Sequence, residues 1–111
     1  MVRKVTALAI RPKISAITKV ELEGGVYGDP QFAAARRKAL DALLRRLPVI
    51  DFSSLMATTY GQIVGQTHFS RRKVIDRMIA ATAIVQGLTL ITTNGSDFAD
   101  IDGLKLEIWD T

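Results

Sequence analysis

The chain has 111 residues, 48% of them hydrophobic and 23% charged, and no cysteine. That size and balance describe one globular domain able to bury a core, and they exclude disulfides and cysteine-based zinc sites. The net charge of +4 is uneven, with 14 basic and 6 acidic side chains in residues 1–96 but one Lys and five acids in residues 97–111; a basic body suits a nucleic-acid partner, although a merely solvated surface has the same signature.

"VRKVTALAI" places Val2, Val5 and Leu8 or Ala9 at helical spacing, so residues 2–10 read as the end of a helix, with "KVTALAI" as a strand the alternative. Its apolar part is too short for a signal peptide, and no segment approaches the ~20 apolar residues of a membrane span. A cytoplasmic location is expected. Arg11-Pro12-Lys13 breaks any helix. "ISAIT" reads as a short buried strand, and Thr18 as the start of a helix, "TKVELEGGVY". Gly24 and Gly25 either end that helix or admit a neighbouring backbone.

The clearest helix is "DPQFAAARRKALDALLRRL". Asp29 suits its N-cap and Pro30 its first position, while Phe32, Ala35, Leu40, Leu43, Leu44 and Leu47 form an apolar stripe opposite a basic face. "PVIDF" reads as a strand, and Ser53 or Ser54 caps the helix "SLMATTYGQIVGQTHF". "SRRK" is a basic loop. "VIDRMIAATAIVQG" is a helix apolar nearly all round, closed by Gly87. "LTLIT" is a strand, "TNGSDFADIDG" a loop and "LKLEIW" a last strand. Strands alternating with helices predict an α/β fold with a mainly parallel sheet, in which ligands sit beyond the carboxyl ends of the strands.

Three acids fall near strand ends or helix starts. Asp76 has almost wholly apolar neighbours, so it needs a positive partner; it reads equally as a first-turn acid favoured by the helix dipole or as a metal ligand. Glu21 fits a capping box, Thr18-Lys19-Val20-Glu21, which does not prevent it from also facing a site. Asp97 and Asn94 suit turn chemistry around Asn94-Gly95. His68 is the only histidine, so a histidine metal site or Ser-His-Asp triad has little support. If the three acids converge, they repel one another unless a cation lies between them, and hard oxygen ligands favour Mg²⁺ or Mn²⁺.

The order and spacing of several segments resemble the PIN-domain family, in particular VapC-like toxins of bacterial toxin–antitoxin pairs. Residues 76–109, "DRMIAATAIVQGLTLITTNGSDFADIDGLKLEIW", resemble the family's Asp on an "IAA.A" helix, then Gly, an apolar strand, "T.N..DF", and "GL" before a closing aromatic. "ISAITKVELEGG" resembles its strand followed by "T..EL..G", and "LPVIDFSSLMATTYGQI" its middle portion. The resemblance implies a PIN-like three-layer sandwich, a single domain over 1–111, and a metal-dependent ribonuclease. Glu21, Asp76 and Asp97 would be the catalytic carboxylates holding Mg²⁺ or Mn²⁺, supported by Thr18 and Asn94. Arg71, Arg72, Lys73 and Arg77 would hold RNA. An antitoxin partner and a homodimer are also implied.

The family's pattern begins with an apolar strand ending in an Asp, within "DTN" or "DTS", and no acid here precedes Glu21. "KVTALAI" stands too close to "ISAIT" for a parallel crossover. The expectation is a chain lacking the N-terminal strand and first Asp, whether by truncation, by decay or because a second chain supplies them. A catalytically inactive protein that binds an antitoxin or a dimer partner is the alternative reading.

Overall fold

The structure is a computed structural model that describes residues 12–109. The helix end or strand expected within residues 2–10 lies outside the described residues. Two compact units form, one ending at Asp51 and the other starting at Phe52.

In the first unit, strand β1 is only Ile14–Ser15, because helix α1 (Ala16–Tyr27) starts sooner than expected. Ser15 has extended backbone and its Oγ accepts the Thr18 N–H at 2.9 Å. That bond satisfies one of the orphan donors of the first turn. The cap therefore lies at Ser15, three residues before the expected Thr18. Glu21 becomes the sixth residue of the helix and forms no capping box. Helix α1 also runs through Gly24 and Gly25, and a β-carbon on either would meet nothing within 4 Å. Neither expected role of that pair holds.

Asp29 is a cap, accepting the Gln31 N–H at 3.1 Å, but it caps a 3-10 turn, Pro30–Phe32, that precedes helix α2 (Ala33–Leu44). Within this unit the hairpin of α1 and α2 buries Val26 and Leu40, whereas Phe32 and Leu43 of the expected stripe stay 46% and 36% exposed. A seam between two helices is narrower than a full apolar stripe. Arg37 of α2 clamps α1 from outside: its two terminal nitrogens meet the Glu23 carboxylate at 2.5 and 3.0 Å, and Asp41 one turn on at 2.7 Å. Strand β2 (Val49–Ile50) pairs parallel with β1, Ile14 opposite Val49.

The second unit begins with helix α3 (Ser54–Thr67). Ser53 is its N-cap, accepting the Met56 N–H at 3.2 Å while the buried Met56 sulfur accepts the Ser53 N–H. Helix α4 (Val74–Gln86) follows the 3-10 turn Arg71–Lys73, which is the expected basic loop. Ile63 of α3 packs with Ala80 and Ala81 of α4, both alanines wholly buried. Their small side chains explain the "IAATA" run, because they let helix backbones approach closely. Helix α4 stops at Gly87, whose φ of 66° is left-handed, with the Leu88 N–H returning to the Ala83 carbonyl at 2.9 Å. Strands β3 (Thr89–Thr92) and β4 (Lys105–Ile108) pair parallel, from Thr89–Lys105 to Thr92–Ile108. Phe98 and Ile101, from the connection between them, complete the core. Every strand pair among the described residues is parallel and flanked in sequence by helices, the α/β class that the alternation predicts.

Two glycines make opposite tests. Gly87→Ala should cost about 1–2 kcal/mol, since a β-carbon is strained in the left-handed region. Gly24→Ala, in an exposed helix interior, should stabilise by roughly 0.5–1 kcal/mol. Urea unfolding midpoints of both variants against the parent check the two signs.

Candidate metal centre

Asp76 is the third residue of α4, in its first turn, and is half-buried. Its carboxyl pKa is raised above the usual value, first by burial and then by the charge of Asp97, with Lys73 pulling the other way. The two carboxylates are thus close enough to repel, as the sequence reading expects of metal ligands. The helix N-terminus favours Asp76 as an anion, but not enough to cancel burial and a like charge.

Asp97 ends a 3-10 turn, Gly95–Asp97, just beyond the carboxyl end of β3. The turn is fastened by side chains. Asn94 donates from Nδ2 to Asp97 Oδ2 at 2.5 Å, and its Oδ1 accepts the Ser96 hydroxyl at 3.0 Å. The Asn94 N–H in turn donates to Thr92 Oγ1 at 3.1 Å. Asn94 therefore orients Asp97, leaving Oδ1 of Asp97 without that bond. Gly95 is buried, and a β-carbon there would collide with Cγ1 and Cδ1 of Ile108 on β4. A larger residue at that position would force the Ile108 side chain, itself 57% exposed, to move aside. Ser96 carried no earlier signal except its place beside Asn94.

Glu21 belongs to the first unit. It is exposed and lines an open, mostly apolar groove of about 360 Å³ with Leu22, Val26, Arg36, Leu40 and Leu43. Thr18 shares a 3.0 Å hydroxyl–hydroxyl bond with Ser15. In the second unit, no third described Asp, Glu or His joins Asp76 and Asp97 as a ligand set.

The basic residues separate into three kinds. Arg71 and Arg72 are exposed, and among the described residues neither has an ion-pair partner. Lys73 reaches Asp100 Oδ2 at 3.6 Å. Arg77 is 0% exposed, so the expectation that it contacts RNA is corrected. Its Nη1 donates to the His68 carbonyl at 2.6 Å, and its Nη2 lies 3.5 Å from Asp100 Oδ2. Helical periodicity around Arg77 could have shown this, since it lies three residues before Ala80 and four before Ala81, on the buried face.

A carboxyl whose folded pKa exceeds its unfolded one holds its proton more tightly in the native state. Its contribution to stability is therefore greatest at low pH and declines as pH rises from the ordinary Asp value of 3.8 toward the raised one. Without metal, the stability of the parent relative to Asp76→Asn should fall as pH rises from about 4 toward 7. The variant should be the more stable at neutral pH. Urea titrations in chelator at several pH values measure that difference, and excess Mn²⁺ should reverse it, because a cation between the carboxylates relieves both burial and repulsion.

The sequence profile of the PIN domain matches residues 2–104. The ribonuclease VapC2 of Rickettsia felis is 37% identical over 101 residues, spanning 87% of this chain and 73% of that protein. A tRNA(fMet)-specific endonuclease VapC of Shigella flexneri is 32% identical over 100 residues, spanning 86% and 74%. In structure, the chain is similar to one in the crystal structure of Rickettsia felis VapBC2 bound to a DNA fragment from its promoter, with a TM-score of 0.82, 32% identity, and coverage of 96% of this chain and 81% of that one. With the helix–strand order and the Asp76–Asp97 pair already in place, these matches show that the chain belongs to the PIN-domain family, in its VapC-like group.

Proposed function

We propose that this protein is a divalent-metal-dependent ribonuclease of the VapC type. The observation that carries the reading is the pairing of Asp76 with Asp97, two half-buried carboxylates, with the Asp76 carboxyl pKa raised first by burial and then by the charge of Asp97. Relatives named ribonuclease and tRNA-specific endonuclease support it. The donor set fits a hard cation such as Mg²⁺ or Mn²⁺, since both groups offer carboxylate oxygens and neither is neutralised by a hydrogen-bonded cation. Asp76 and Asp97 would hold it. The ion, when bound, supplies Lewis-acid activation of water and charge neutralisation at phosphorus.

The chain's own residues do the rest. Asn94, bonded to Oδ2 of Asp97 and held in turn by Ser96, would restrain the Asp97 carboxylate and leave its Oδ1 for the ion. Thr18, tied to Ser15, anchors the start of the helix that carries Glu21. Arg71 and Arg72, exposed in the turn that leads into Asp76's helix, would bind phosphates flanking the scissile bond. As a small partner, an antitoxin is the proposed regulator, because the Rickettsia felis structure is of VapBC2. The open groove of the first unit, with Leu22 and Leu43 at its surface, would suit an apolar segment of that partner. Among the described residues no helix is long and apolar enough to cross a membrane.

The purified chain should cleave RNA with Mg²⁺ or Mn²⁺ and not in chelator. Asp76→Asn and Asp97→Asn should each lower the rate by roughly 100-fold or more, corresponding to about 3 kcal/mol of lost transition-state stabilisation. Full binding of antitoxin with no cleavage under either metal would instead establish the inactive, partner-binding alternative.

Binding of single-stranded RNA to a cleavage-dead Asp97→Asn background tests the basic turn. Replacing Arg71 and Arg72 with Gln should reduce the slope of log affinity against log salt by roughly 0.7 for each charge removed. An unchanged slope would show that these arginines are only solvated. Arg77 should be left intact in that experiment, because its loss would disturb the core.

A further inference from the structure

Arg77 is the largest wholly buried side chain among the described residues, and it is a cation. A buried charge is costly unless it is well paired, and an apolar side chain of similar volume is often the more stable choice. The pairing here is specific but incomplete. Nη1 donates to the His68 carbonyl at 2.6 Å, Nη2 stands 3.5 Å from Asp100 Oδ2, and neither Nε nor Nη2 has a hydrogen-bond acceptor. Core packing alone gives no reason for such a residue.

Its position supplies one. Arg77 follows Asp76 on α4, and Asp100 lies three residues after Asp97 in the β3–β4 connection. Lys73, at the entry to α4, reaches the same Asp100 oxygen at 3.6 Å. Asp100 thus receives two cations from the segment that carries Asp76, while it belongs to the segment that carries Asp97. On its other side, Arg77 holds the carbonyl of His68, whose φ of 153° and ψ of 162° lie where residues other than glycine are rare. One guanidinium therefore joins the end of α3, the first turn of α4 and the connection.

We propose that Arg77, acting through Asp100, is a positioning residue that sets the Asp97 loop against the first turn of α4 and thereby tunes the pair's affinity for a divalent cation. This rests on the reading of Asp76 and Asp97 as metal ligands. Arg77 bonds to the His68 carbonyl and pairs with Asp100, and not with Asp76 or Asp97; its action is on the segments that bear them. The arrangement has the form of an outer shell that orients ligands, whose loss typically weakens metal binding by 10–100-fold.

The test uses Arg77→Lys and Asp100→Asn in the full chain; Asp100 is 40% exposed, so its variant keeps the experiment decisive if Arg77→Lys does not fold. In chelator, amide exchange is followed at Phe98 and Ile101, whose N–H groups donate to Gly95 and Phe98 carbonyls at 3.1 and 3.2 Å. Exchange there should speed up about 10-fold in each variant as the connection loosens. Calorimetric Mn²⁺ titration should show affinity falling about 10-fold. Unchanged exchange in Asp100→Asn overturns the proposal, because the loop is then held by other contacts. Faster exchange with unchanged Mn²⁺ affinity also overturns it, leaving Arg77 a structural clamp. If the parent takes up no Mn²⁺, the metal reading itself fails and the positioning role with it, a result distinct from a parent that binds Mn²⁺ as tightly as its variants.

Discussion

Strands β3 and β4 run parallel, and this one constraint organises the whole second unit. A chain leaving β3 at Thr92 must travel back along the strand before it can pair again, which takes a dozen or so residues. Here that distance is covered by residues 93–104 without a helix. Such a connection must anchor itself, and Phe98 and Ile101 do so by entering the core, each worth about 1.5–3 kcal/mol of apolar burial. Between those anchors and β3 stands the turn that carries Asp97. Its place beyond the carboxyl end of a strand is therefore a consequence of the pairing direction, not a separate design feature.

The electrostatics of that region run against stability. Burial and the charge of Asp97 both disfavour the ionised form of Asp76, and Lys73 only partly compensates. The buried Arg77 is also imperfectly matched. By contrast, the first unit pairs its charges directly: Arg37 forks onto Glu23 and reaches Asp41, and these bonds outweigh burial. The guanidinium pKa rises and that of Glu23 falls, each chiefly because of the hydrogen bonds between them. Such a half-exposed network contributes little to stability. Charges that relax one another lie on the hairpin, whereas charges that strain one another gather at α4 and the loop after β3. A cation between Asp76 and Asp97 would relieve that strain, which is the ground for proposing the second unit as the chemical centre.

Much of this was legible in the residues. Helix α3 followed from its Ser53 cap, α2 from its apolar spacing, α4 and its stop at Gly87 from a long apolar run ending in glycine, and Asp97 from a strand running into Asn-Gly. Other features were not. Ser15 and Thr18 are both good caps three residues apart, and local chemistry does not choose between them; pairing of β1 with β2 at Ile14 and Ser15 leaves Ser15 as the last extended residue. Gly24-Gly25 looks like a helix end, yet α1 continues through it because the hairpin seam with α2, at Val26 and Leu40, lies beyond. Arg77 read as one more member of a basic run, since charge is visible in sequence and burial is not.

By itself, the sequence determined the alternation of strands and helices, the stop of α4 at Gly87, and the placing of Asp76 at a helix start and Asp97 past a strand end, because periodicity, capping and glycine geometry act over a few residues. Tertiary structure alone decided which of those charges meet. Whether Asp76 feels Asp97, whether Lys73 and Arg77 converge on Asp100, and whether a side chain at Gly95 would meet Ile108 all depend on segments brought together by α3–α4 packing and by the parallel pairing of β3 with β4. Coulomb energy and steric overlap depend on distance through space, and separation along the chain does not report it.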